Sequence, residues 1–281
     1  MSLNGLELNL KSNHYTLKMK NIWYCLVLCS IISIASCSSD DDTPPKEPRT
    51  AADVREDFNN LVINDGANDL TLESLVEGVF WNFRIVQPVD ASANNKRPLI
   101  LDLHGGARNI LADAHKTTSC LIIPGMENIK PYIIRPNSSG YQWYDEFNQV
   151  QVLALVDMVS QFLHVDTSKI VVMGYSDGGN GSFFFAQYYA DIFSAAIPLA
   201  TSYDTSTANG YTKFDIPIYA FHGEDDELFD VELTQGFIDG SIDAGSDITF
   251  VRIAGLDHFA GCQYETYMPD VEDWLLNHVW N

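Results

Sequence analysis

The segment Gly174-Tyr175-Ser176-Asp177-Gly178 constrains the fold of this chain more than any other stretch. It follows the apolar run Ile170-Val171-Val172-Met173 and precedes three small residues, Gly179, Asn180 and Gly181, and then a helix-like stretch over 182–190. A serine on a tight turn from strand to helix is exposed at the sheet edge. It also sits at a helix N-terminus, whose unpaired N–H groups favour developing negative charge. Flanking glycines are needed because such a turn brings backbone against backbone and leaves little room for Cβ atoms. A glycine-rich turn that merely contains a serine is the plainer reading. The strand-turn-helix setting favours a nucleophile.

Around this segment, strand-like and helix-like stretches alternate to the end of the chain. Residues 70–75 and 79–87 alternate apolar and polar positions and predict an opening hairpin. Residues 99–103 and 132–134 read as short buried strands, the first ending at His104-Gly105-Gly106. Helical spacing of Val150, Leu153, Leu155, Val156, Val159, Phe162 and Leu163 predicts a helix over 150–163. Strands follow at 195–199, 216–221 and 248–253, with helices around 231–244 and over 268–279. This pattern predicts the α/β class: one domain over 51–281, with a mostly parallel central sheet and helices on both faces.

The N-terminus reads as a targeting segment. Lys18 and Lys20 precede an apolar run over 22–35, too short to span a bilayer comfortably, which ends in Ile34-Ala35-Ser36-Cys37. This resembles a bacterial lipobox, with Cys37 cleaved and lipidated, so residues 1–37 are expected to be a signal peptide. Met19 is a more natural start for it than Met1, which would leave 1–18 upstream of the true start. The acidic run Asp40-Asp41-Asp42 resembles the export tag of surface lipoproteins, and 38–50, with Pro44, Pro45 and Pro48, reads as a flexible linker. The expected location is the outer membrane, facing the cell surface or the periplasm, with the lipid as the only membrane contact. Of the remaining cysteines, Cys25 and Cys29 leave with the signal peptide. Cys120 and Cys262 stay, as either a disulfide or two buried thiols, without metal-site spacing.

The formal charge is −22, and removal of Glu7, Lys11, Lys18 and Lys20 with the first 36 residues takes it to −24. The acidity therefore belongs to the mature domain and argues against nucleic acid as a partner.

A serine hydroxyl needs a base, usually a histidine oriented by a carboxylate. The strand at 216–221 runs into His222-Gly223-Glu224-Asp225-Asp226, and that at 248–253 into Ala254-Gly255-Leu256-Asp257-His258. Carboxylate and imidazole thus fall at successive strand ends, where a doubly wound sheet places its active site. Asp226 is preferred as the acid by position, with Asp225 second; a solvated loop is the plainer reading of the whole cluster. Of the seven histidines, His258 is the best placed base, whereas His104 and His222 precede glycine at strand ends and read as loop-shaping. No metal or organic cofactor is expected.

With these residues in place, the chain over about 70–280 resembles α/β-hydrolases of the predicted-peptidase and carboxylesterase group, close to feruloyl and acetylxylan esterase-like proteins. The resemblance rests on 98–106, 165–179, 193–199, 219–226 and Gly255-Leu256-Asp257-His258. It implies Ser176 as nucleophile, Asp226 as the last position of H-G-x-x-D, and His258 as base. It also implies an oxyanion hole of backbone N–H groups from Asp177 and from Gly106 or Ala107. Relatives often carry Met where this chain has Asp177, and a carboxylate beside a developing oxyanion is unhelpful unless it points away or is paired.

Only 200–215 separates two strands where many such folds insert a helical lid, so no sizeable lid is expected and the site should be open. The aromatic loop containing Tyr141, Trp143 and Tyr144 reads either as a stacking surface for a sugar or phenolic ring or as core, and Trp143 and Tyr144 are the candidate substrate contacts. The expected function is a serine carboxylesterase acting on small or polysaccharide-linked esters. A serine peptidase and a catalytically silent binding lipoprotein are the alternatives.

Overall fold

A computed structural model describes residues 48–109, 111–117 and 120–281. Cys37, the signal segment and the acidic run lie outside the described residues.

The chain enters the domain through Arg49, whose guanidinium pairs with Asp57 and Glu73. Thr50 then caps helix α1 (Ala51–Asn59) in a reciprocal capping box with Asp53. Strands β1 (Gly66–Glu73) and β2 (Phe80–Gln87) form the expected hairpin, paired antiparallel with Asp69 opposite Arg84. β3 (Arg97–Leu103) and β4 (Tyr132–Pro136) flank the short helix α2 (Ile122–Gly125), and α3 (Glu146–Phe162) leads to β5 (Val165–Tyr175). Next come α4 (Asp177–Tyr188), β6 (Ala195–Leu199), the two-residue strands β7 (Ser206–Thr207) and β8 (Gly210–Tyr211), and β9 (Ile218–Gly223). Helix α5 (Val231–Asp243), β10 (Ile248–Ile253) and α6 (Met268–Trp274) complete the chain, with a π-turn over Leu275–Val279 closing what the sequence predicted as one helix.

The eight-stranded sheet has the order β1-β2-β4-β3-β5-β6-β9-β10, and only β2 runs against its neighbours. Side chains alternate across it. Leu99, Leu101 and Leu103 of β3 join the core under α1, α3, α4 and α5, while Ile100 joins the opposite core under α2 and α6. β9 begins at Ile218 rather than at residue 216 because Pro217 has no N–H for the ladder; its carbonyl instead accepts from Ala196. Between β6 and β9 the chain forms the β7–β8 hairpin and no helix, so no helical insertion stands between these two strands.

A disulfide joins Cys120 to Cys262 across a separation of 142 residues, tying the loop before α2 to the segment after His258.

Candidate active site

Ser176 occupies the turn between β5 and α4 with φ 57° and ψ −120°, a region that non-glycine residues avoid. Steric exclusion around the turn holds it there. A Cβ on Gly178 would lie 1.9 Å from the Leu103 carbonyl oxygen, and one on Gly174 would lie 2.3 Å from that of Gly178. The helix accordingly starts at Asp177, five residues earlier than the sequence predicts, through glycines of poor intrinsic propensity. Close packing overrides propensity here: Gly181 lies against Trp143, with a hypothetical Cβ 2.7 Å from the Trp143 Cβ.

The serine hydroxyl lies 2.8 Å from His258 Nε2, and His258 Nδ1 lies 2.7 Å from Asp226 Oδ2. These three side chains come from the ends of β5, β9 and β10, in the order read from the sequence. Asp226, and not Asp225, faces the imidazole. Its second oxygen accepts the N–H groups of Leu228 at 2.9 Å and Phe229 at 2.8 Å, so the buried carboxylate is fixed by its own loop. His222, read as loop-shaping, does shape it. Its Nε2 lies 2.8 Å from the Phe229 carbonyl and therefore carries the proton, and the same nitrogen approaches Asp226 Oδ2 at 3.4 Å. Burial lowers its pKa and keeps it neutral.

Tyr175 is a site residue with no signature in the sequence, since it holds the variable second position of G-x-S-x-G. Its hydroxyl donates to the His258 carbonyl at 2.6 Å, bracing the loop that carries the imidazole. Burial raises the Tyr175 pKa, which keeps the phenol a donor.

The loop after β3 is pinned from four directions. His104 Nδ1 donates to the Gly105 carbonyl at 2.8 Å, and its Nε2 accepts the Ser138 N–H at 3.1 Å. Trp143 Nε1 donates to the His104 carbonyl at 3.0 Å, while the Ser138 hydroxyl donates to that of Ala107 at 2.6 Å. Desolvation of the buried His104 imidazole lowers its pKa to about 4.

Three expectations change. Asp177 turns its carboxylate onto the Ala107 N–H at 2.9 Å, which pairs the charge and removes Ala107 from the candidate oxyanion donors. The Asp177 N–H, at the first helical position, and that of Gly106 have no acceptor among the described residues, so the candidate pair is Asp177 with Gly106. Trp143 is fully buried with its edge on His104, ring centroids 5.0 Å apart, and is a strut of the loop rather than a substrate contact. Tyr144 is exposed, but its ring packs against Phe184, eight residues along α4 from Ser176 and thus about 12 Å down the helix axis.

The sequence model of the Dienelactone hydrolase family matches residues 141–271, a span holding Ser176, Asp226 and His258. No curated protein matches the chain in sequence. Among solved structures, a thermostable esterase is similar at TM-score 0.61 and 19% identity over 75% of this chain, which spans 62% of that protein's length. The fluorophosphonate-binding serine hydrolase FphF of Staphylococcus aureus matches at TM-score 0.61 and 19% identity over 76% of this chain and all of its own. A truncated carbohydrate esterase from gut microbiota matches at TM-score 0.57 and 18% identity, covering 71% of this chain and 91% of that one. At these identities the likeness is one of fold. The chain has the α/β-hydrolase fold, and its residues 141–271 match the Dienelactone hydrolase family.

Proposed function

We propose that the protein is a serine carboxylesterase that cleaves acyl groups from sugars or polysaccharides through an acyl-enzyme. The observation that carries this reading is the continuous relay from Ser176 Oγ through His258 to Asp226, with the Asp177 N–H at the start of α4 lacking an acceptor among the described residues. Ser176 attacks the ester carbonyl as His258 Nε2 takes its proton, and Asp226 stabilises the imidazolium through Nδ1. The Asp177 and Gly106 N–H groups receive the oxyanion, each such donor contributing about 10²–10³ in turnover. His258 protonates the departing alcohol, then activates water against the acyl-enzyme.

The lack of a helical insertion between β6 and β9 supports bulky substrates. The fold likeness to a carbohydrate esterase is in keeping with a sugar-linked ester. The lipobox at Cys37 supports attachment to the outer membrane, where such polymers are met. Acetate release from acetylated xylan, with p-nitrophenyl acetate and casein run alongside, tests the proposal. Ester cleavage without proteolysis is expected; cleavage of casein with inert esters would establish a peptidase instead.

A further inference from the structure

A cavity of about 340 Å³ opens beside His258, walled by Asp225, Glu227, Leu228, Asp257 and Phe259. His258 stands in its wall and Ser176 does not, so its link to the reaction runs through the imidazole. His258 Nε2 gives its proton to the departing oxygen, so the alcohol leaves past the imidazole, while the carbonyl oxygen is drawn towards the Asp177 and Gly106 N–H groups.

Two features of the cavity describe that alcohol. Phe259 is 83% exposed and stands edge-on to the His258 ring, with centroids 5.9 Å apart at 87°. Leu228 is 58% exposed. An uncovered phenyl ring and leucine beside the candidate base make an apolar platform that no other described residue covers. Around it, among the described residues, the Asp225 and Glu227 carboxylates have no partner and the Asp257 carboxylate accepts only the Phe259 N–H at 2.8 Å. Carboxylates accept hydrogen bonds and repel anions. A ring with an apolar face and a rim of hydroxyl donors satisfies both features.

We propose that this cavity is the leaving-alcohol subsite, that it takes a neutral sugar ring, and that Phe259 is its specificity-determining residue. The inference rests on the esterase reading and adds to it which half of the substrate binds here and with what charge.

The test compares kcat/KM for an acetylated methyl xyloside, an acetylated galacturonide, acetylcholine and vinyl acetate. It uses the wild type, Phe259→Ala, Phe259→Tyr and the double variant Asp225→Asn/Glu227→Gln. The xyloside ester should exceed the galacturonide ester at least about tenfold, and the double variant should close that gap. Phe259→Ala should lower the ratio of xyloside ester to vinyl acetate about tenfold, through KM, and Phe259→Tyr should restore it. A ratio unchanged in Phe259→Ala, or acetylcholine outrunning the xyloside ester, overturns the subsite while leaving the esterase standing. A folded wild type inert even to vinyl acetate overturns both.

Discussion

The Asp177 carboxylate accepts the Ala107 N–H at 2.9 Å, so the residue after the serine holds the loop after β3 instead of confronting the oxyanion. Asp177→Asn retains an acceptor and should keep kcat on a small ester within about threefold, whereas Asp177→Ala releases the loop and should lower kcat about tenfold or more. Steady-state kinetics on vinyl acetate separate the two variants. Equal losses in both would show that the charge matters and not the tether.

The Ser176 turn depends on the missing side chain of Gly178, since a Cβ there would meet the Leu103 carbonyl oxygen at 1.9 Å. Gly178→Ala should therefore cost more than about 3 kcal/mol, from backbone displacement of both α4 and β3. Gly236→Ala is a matched control on α5, where a Cβ has nothing within 4 Å, and it should be neutral or slightly stabilising. Urea melts of both variants measure the difference.

How much of this was legible in the sequence follows the range of each interaction. The strands and the three relay residues were readable because each sits at the end of its own apolar run, a local signal, and the parallel sheet then brings those ends together. Trp143 and Tyr144 misled because an aromatic residue in a loop looks the same whether it faces solvent or packs beneath a neighbouring loop. Only the approach of Gly181 and His104 decides it for Trp143. Tyr175 and the Asp177–Ala107 bond were hidden because both are contacts over long sequence separations, 83 and 70 residues. The early start of α4 was hidden because glycine propensity argues against the helix that packing enforces.

Tyr175→Phe removes the 2.6 Å bond to the His258 carbonyl and keeps the ring. Stability should fall by about 1 kcal/mol. kcat should fall about tenfold with KM little altered, because the imidazole loop loses its brace. Parallel melts and kinetics check this, and loss of stability without loss of kcat would show that the brace does not serve His258.

His104 titrates near 6.5 when unfolded but only at about 4 in the fold, so between these values the unfolded chain binds more protons. Stability from this residue is complete above about pH 6.5 and is lost as pH falls towards 4, about 3 kcal/mol in all. Protonation of Nε2 would also break its bond from the Ser138 N–H. Denaturant melts between pH 7 and 4 should show this slope, and His104→Gln, which can still accept that N–H, should flatten it.

Replacing both Cys120 and Cys262 with serine opens the 142-residue separation and should cost about 2–5 kcal/mol. A thermal melt under non-reducing conditions reads the loss, and an unchanged midpoint would contradict the bond.

Every step proposed for the site requires Ser176 to be a nucleophile activated by His258. A fluorophosphonate probe, with the modified peptide identified by mass spectrometry, measures this most directly. The wild type should become labelled on Ser176, with labelling abolished in Ser176→Ala and slowed by at least about 10³-fold in His258→Ala. An unlabelled, folded wild type, or label persisting in Ser176→Ala, would contradict it.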